Sequence, residues 1–267
     1  MMPEALTQIL APGRWPTFVM ISTRLGGLMM VAPVWSSTSI PRGVRAAVTV
    51  LLAAALLPSA GNVVLPDSVL HLPINLALEL VIGVVIGLTA AVLVQGVTLA
   101  GEVISLQMGI SLGPALSPAA DIQVPGIGEL HGFLASLIYL SVGGHLMLIR
   151  GIADSLHALP PGSAISMAGG VDEGVHLLGT LFTTALRAAA PVILTLLLSN
   201  VGLAILHRAV PNLNAMMVAL PLTILVGLLA LGAALPIVGS SIAGWMGSLP
   251  HAIESTLAGL GVSRVGS

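Results

Sequence analysis

Ile74-Asn75-Leu76-Ala77-Leu78-Glu79-Leu80-Val81-Ile82-Gly83-Val84-Val85-Ile86-Gly87-Leu88-Thr89-Ala90-Ala91-Val92-Leu93-Val94-Gln95-Gly96-Val97-Thr98-Leu99-Ala100 decides the fold. The run sits between Pro73 and Gly101 and holds a single charge, Glu79. As a helix rising 1.5 Å per residue it is about 40 Å long, more than the ~30 Å hydrocarbon core of a bilayer. Gly83, Gly87 and Ala91 recur every fourth residue. Such a stripe of small residues lets another helix approach closely. Internal helix packing is its plain reading, and a seam between subunits is the other.

Five more apolar segments flank this one. Segment 15–35 is interrupted only by Arg24 and has Trp15 and Trp35 at its ends, where interfacial rings are expected. Segment 44–58 is shorter and Ala/Leu-rich, and 130–150 follows a Gly-, Pro- and Ser-bearing stretch, 101–129. Segment 175–207 contains Pro191, and 215–247 contains Pro221 and Pro236 but no charge. Each of these last two would reach about 50 Å, so kinks or helix–break–helix units are expected at the prolines. Pro160-Pro161-Gly162 is a strong helix stop. No stretch shows the ten-residue alternation of a membrane barrel. The reading is all-α, a polytopic helical membrane protein, with 1–267 taken as one domain.

Composition agrees. Of 267 residues 56% are apolar and 7% charged, and the mean hydropathy is +1.09. A soluble domain has about 25% charged residues. Eight arginines, no lysine and ten acids cannot coat a soluble globule, which excludes a soluble enzyme and a disordered chain. The formal charge of −2 argues against nucleic acid as a partner. There is no cysteine, hence no disulfide and no thiol chemistry. Met1-Met2-Pro3-Glu4 lacks a basic region, so the first apolar segment is expected to remain in the mature protein. With six spans and the N-terminus outside, Arg42, Arg45 and Arg208 fall inside and Arg14, Arg150 and Arg264 outside. That tie leaves orientation undecided and questions simple spanning.

Candidate chemistry is sparse. Arg24 and Glu79 lie inside apolar segments, where an isolated charge costs at least ~2.5 kcal/mol. They could pair with each other, or Arg24 could snorkel while Glu79 sits near its helix's N-terminal end. Arg187 is similar, with no obvious partner. Arg150 and Asp154 could pair as neighbours four apart. Gly109-Ile110-Ser111-Leu112-Gly113 matches the G-x-S-x-G nucleophile pattern. That elbow needs a preceding strand, and none is expected here. The seven histidines form no metal-binding pattern, and no phosphate-binding loop is visible. No catalysis, cofactor or metal is expected.

The most unusual stretch is 106–118, containing Gln107, Met108, Gly109, Ile110, Ser111, Leu112 and Gly113. It is apolar, and its glycines and prolines oppose a regular helix. Non-helical backbone in a membrane protein is tolerated where protein buries it or where it lines a cavity. The segment therefore reads as a plug or re-entrant loop closing a pore, against the plainer reading of a surface loop.

Several short elements follow one another in chain order: Arg24-Leu25-Gly26-Gly27, Ala32-Pro33-Val34, Ile40-Pro41 with Arg45, Glu79-Leu80-Val81-Ile82-Gly83, Gln107-Met108-Gly109 and Gln123-Val124-Pro125 with Gly128. Gly144-His145, Pro160-Pro161-Gly162, Pro211-Asn212-Leu213-Asn214 and Pro221-Leu222 complete the series. Together they resemble the FliR family of flagellar export gates and its virulence counterpart SctT. Leu106, Leu112 and Gly143 stand where the family often has phenylalanines and an acid, and Pro118-Ala119-Ala120-Asp121 is altered. The plug is therefore expected to be built from Met, Leu and Ile. The resemblance implies long helical hairpins joining FliP-like and FliQ-like subunits in a cone-like gate, with an FlhB-like partner outside. It implies unfolded proteins as the exported substrates, and the inner-membrane basal body as the location. The competing reading is an autonomous membrane transporter or channel with a site at the broken fifth and sixth segments.

Overall fold

The computed structural model describes residues 14–60, 71–110, 126–163, 167–209 and 215–260. The elements are α1 (Trp15–Val31), α2 (Arg42–Leu56) with a 3-10 turn (Leu57–Ser59), α3 (His71–Met108) and α4 (Ile127–Ser141). They continue with α5 (Gly144–Ala158), α6 (Met167–Ala209), α7 (Ala215–Gly247) and α8 (Leu249–Gly259). The chain is an all-α polytopic membrane protein. Among the described residues four helices are long and apolar enough to cross a membrane, or five if α4 and α5 count as one broken span.

Two compact units form. One gathers residues 1–92, 143–178 and 247–267; the other gathers 93–142 and 179–246. In the first unit α1 buries Met20, Ile21, Arg24, Leu25 and Leu28, a stripe at helical spacing. It packs on α2, and α5 packs on α8 through Leu148, Ile152 and Leu156 on one side and Ile253 and Leu257 on the other. Gly151 makes room there, since a Cβ would stand 2.9 Å from Ile253 Cγ2. The Thr256 hydroxyl donates to Glu173 Oε1 at 2.8 Å, tying α8 to the start of α6. In the second unit α7 presents Leu231, Ala234, Val238, Ile242 and Met246, again one buried stripe.

Local chemistry explains both ends of α1. Pro16 stands in the first turn of α1, where a missing N–H costs nothing. Pro33 forces Ala32 into extended backbone (φ −56°, ψ 136°) and ends α1. Arg45 folds back on the connection that follows, donating from Nη2 to the Ser37 carbonyl at 2.9 Å and the Ile40 carbonyl at 3.3 Å. Arg45 is thus a local clamp.

Four expectations are corrected. The helix expected over 74–100 runs from His71 to Met108, so Leu106, Gln107 and Met108 of the 106–118 loop are helical. No breaker stands before Gly109, whose φ of +78° then ends the helix. Segment 130–150 is two helices, broken at Gly143 with φ +79°. Of the kinks or breaks expected at Pro191, Pro221 and Pro236, the break is overturned, since each helix runs through its prolines. Each proline removes one backbone donor, a loss that membrane helices accommodate. Arg150 and Asp154 are both exposed and form no ion pair.

Candidate functional site

The first unit closes around a buried charge pair. Arg24 on α1 donates from Nε to Glu79 Oε2 on α3 at 2.6 Å, and both side chains are at most 1% exposed. Nη1 donates to Ser155 Oγ on α5 and Nη2 to the Leu159 carbonyl, each at 3.0 Å. That carbonyl belongs to the C-terminal end of α5, where unsatisfied oxygens favour a cation. The second Glu79 oxygen accepts the Gly162 N–H at 2.9 Å.

Gly162 can donate because of the turn it occupies. The Ser163 N–H reaches the Pro160 carbonyl at 3.0 Å and Gly162 has φ +86°, with Pro161 before it. Proline followed by a left-handed glycine is the signature of a type II turn. The proline has no N–H, so the Pro160-Pro161-Gly162 stop presents Gly162 as its donor.

Glycines bring the pair together. A Cβ at Gly83 would overlap the Arg24 carbonyl, and one at Gly27 the Leu80 carbonyl. A Cβ at Gly87 would stand 3.1 Å from the Leu28 carbonyl. The Gly83/Gly87 stripe therefore faces α1 within the same chain, backbone to backbone; Ala91 is half-buried. Only this close approach lets the short Glu79 side chain reach Arg24. Buried this deeply and hydrogen-bonded on both carboxylate oxygens, the pair is a closed staple between α1, α3 and the end of α5. Gly27, Ser155 and Gly162 were not singled out as partners by sequence. Pro160-Pro161-Gly162 was legible as a helix stop, but nothing in its spacing joins it to Glu79.

The second unit has its own glycine seam. Cβ atoms at Gly101 and Gly132 would stand 2.7 Å from the Ile127 carbonyl and 2.6 Å from Thr98 Oγ1, and one at Gly128 2.5 Å from Glu102 Cγ. A cleft of about 350 Å³ beside this seam is lined by Glu102, Ser105, Leu106 and Glu129. Of the plug residues, Gln107 is exposed, Met108 buried, and Gly109 and Ile110 half-buried. A Cβ at Gly227 would lie 2.7 Å from three atoms of Met108, so the glycine on α7 accommodates that side chain. Ser111, Leu112 and Gly113 lie outside the described residues. What precedes Gly109 is a helix, not the strand a nucleophile elbow requires. Arg187 is exposed on α6. Among the described residues no three metal-ligating side chains converge.

A family model described as bacterial export proteins, family 1, matches residues 15–249. The flagellar biosynthetic protein FliR of Escherichia coli K12 is 30% identical over 236 residues, covering 84% of each chain. FliR of Bacillus subtilis 168 is 27% identical over 220 residues, 81% of this chain and 85% of that one. FliR of Aquifex aeolicus is 32% identical over 166 residues, 60% and 62% respectively.

Proposed function

The chain belongs to the FliR family, bacterial export proteins family 1, and is a membrane component of flagellar protein export; from that premise we propose that it is a non-enzymatic subunit building part of the export channel and its seal. It joins FliP-like and FliQ-like subunits in the gate, in the inner-membrane basal body, with an FlhB-like chain beside it and unfolded proteins as cargo. Family membership carries this reading.

Helix dimensions support it. The 38 residues of α3, 43 of α6 and 33 of α7 make helices of about 57, 65 and 50 Å. A bilayer core covers about 30 Å of each. The remainder exposes large apolar side chains, among them Leu194 at 62% on α6 and Leu229 at 67% on α7. Neighbouring subunits would cover both the excess length and these faces.

The seal draws on residues 106–118. Met108, held against Gly227, anchors the segment at the end of α3, and the left-handed Gly109 releases the chain from the helix. An apolar constriction blocks ions by dewetting while a pliable segment can yield to a passing polypeptide. Deleting residues 110–116 should raise ion conductance of the assembled gate severalfold, measured in reconstituted bilayers. Unchanged conductance with unchanged export rejects the plug. Pull-down of the tagged, solubilised chain should recover FliP-like and FliQ-like subunits. A chain that purifies alone and transports alone is the autonomous transporter instead.

A further inference from the structure

The connection between α1 and α2 carries a backbone outlier. Val34 has φ +70°, whereas the other described residues with positive φ, Gly109, Gly143 and Gly162, are glycines. Positive φ crowds Cβ against backbone oxygen, and a β-branched side chain tolerates it least. The Trp35 N–H donates to the Pro33 carbonyl at 2.8 Å, across Val34. A bond from residue i+2 to residue i about a centre of positive φ is the rare, strained form of γ-turn. Such strain persists only where the surrounding structure enforces it.

Two holds enforce it here. Upstream, Ala32 is fully buried and donates its N–H to the Leu28 carbonyl at 2.8 Å, and the Pro33 ring fixes its own φ. The Ser36 N–H adds a bond to the Ala32 carbonyl at 3.0 Å. Downstream, the hold is Arg45 of α2, which reaches the Ser37 and Ile40 carbonyls from one nitrogen, Nη2. Both acceptors are neutral, and Arg45 forms no ion pair among the described residues. Its Nε is buried without a hydrogen-bond partner. The helix behind this hold is seated shallowly, with Ala53 as the buried residue of α2. Leu57, 1% exposed in the 3-10 turn, fixes the far end. The N-terminal end of α2 therefore keeps its place largely through Arg45.

We propose that this connection is a sprung hinge, with strain stored at Val34 and Arg45 as the latch that retains it. When the latch opens, Val34 relaxes to ordinary extended backbone and the N-terminal end of α2 takes a new position relative to α1. The alternative is that Arg45 is a plain clamp with no spring beneath it. The inference does not depend on the export role.

The chain has no cysteine, and Met30 near the end of α1 and Ala46 near the start of α2 are both exposed. Met30→Cys with Ala46→Cys therefore places a single pair of spin labels. Dipolar electron paramagnetic resonance reads their spacing in the full chain, purified from membranes with whatever subunits accompany it. Arg45→Met removes both donated bonds while keeping most of the bulk, and should shift the spacing to a new value. Arg45→Lys retains a donor near the same carbonyls and should hold the original spacing. The deciding background is Val34→Asn, because asparagine accepts positive φ far more readily than valine. There Arg45→Met should leave the spacing unshifted, since no strain remains to be released. Val34→Gly provides a second relaxed background. Each variant is first shown to be helical by circular dichroism and monodisperse by gel filtration. An unchanged spacing in Arg45→Met overturns the proposal. So does an equal shift with valine, asparagine or glycine at position 34, which would make Arg45 the plain clamp.

Discussion

Glu79→Ala is expected to destabilise the solubilised protein by about 3–5 kcal/mol, the cost of stranding one member of a buried ion pair. Three features of the site set that size. Arg24 is 0% exposed, so water cannot replace the lost carboxylate. The Gly162 N–H loses its acceptor at the same time. The guanidinium keeps Ser155 and the Leu159 carbonyl, both neutral, and is left with no counter-charge there. Arg24→Lys should not preserve stability, because an ammonium cannot reproduce three donors held in a planar fork. Thermal unfolding in detergent and the amount of chain in the membrane measure the effect. The double replacement Arg24→Met with Glu79→Leu should recover most of the loss, since two apolar side chains of similar bulk replace a buried pair at little cost. Export provides the decisive second readout. If the pair is a staple, export returns with stability in the double variant. Stability restored with export still absent would make Glu79 a proton carrier and end the staple reading.

The second large effect separates Gly26 from its neighbour Gly27 and from Gly83 on the facing helix. Gly83→Val should cost 3 kcal/mol or so, at or above the usual ~1–3 kcal/mol for overpacking. Its Cβ overlaps the backbone of Arg24, which cannot swing aside as a flexible side-chain tip could. The helices must part, and the 2.6 Å contact between Arg24 and Glu79 opens with them. Gly27→Ala should fail for the same reason, against the Leu80 carbonyl. Gly26→Ala is the contrasting case, because a Cβ there meets nothing within 4 Å. It should be neutral or stabilise by up to about 1 kcal/mol, since alanine is the better helix former. Equal unfolding temperatures for the Gly26 and Gly83 variants would contradict the close packing of α1 on α3.

Fold class was legible because hydropathy is a one-dimensional property. A chain with 7% charged residues and apolar runs this long has few ways to hide its backbone, and helices satisfy each N–H locally. Boundaries were less legible. Gly101 looked like a helix end but is a contact point, placed where α4 comes within 2.7 Å of a would-be Cβ. Gly143 looked like one small residue among many, yet its left-handed backbone breaks the fourth segment. Whether a glycine breaks a helix or seats a neighbouring one depends on what lies beside it, and that is absent from the string of residues. The prolines at 191, 221 and 236 pointed to kinks or breaks; none breaks its helix, because one lost hydrogen bond does not stop a helix otherwise held by its neighbours.

The sequence by itself determined an all-α membrane chain, its small-residue stripe at Gly83 and Gly87, and two charges in need of partners. Tertiary structure alone decided that those charges answer each other across 55 positions, with Ser155, the Leu159 carbonyl and the Gly162 N–H completing the shell. The physical reason is range. Helix formation and membrane burial depend on residues a few places apart, whereas a buried charge is satisfied only by groups that packing brings within about 3 Å.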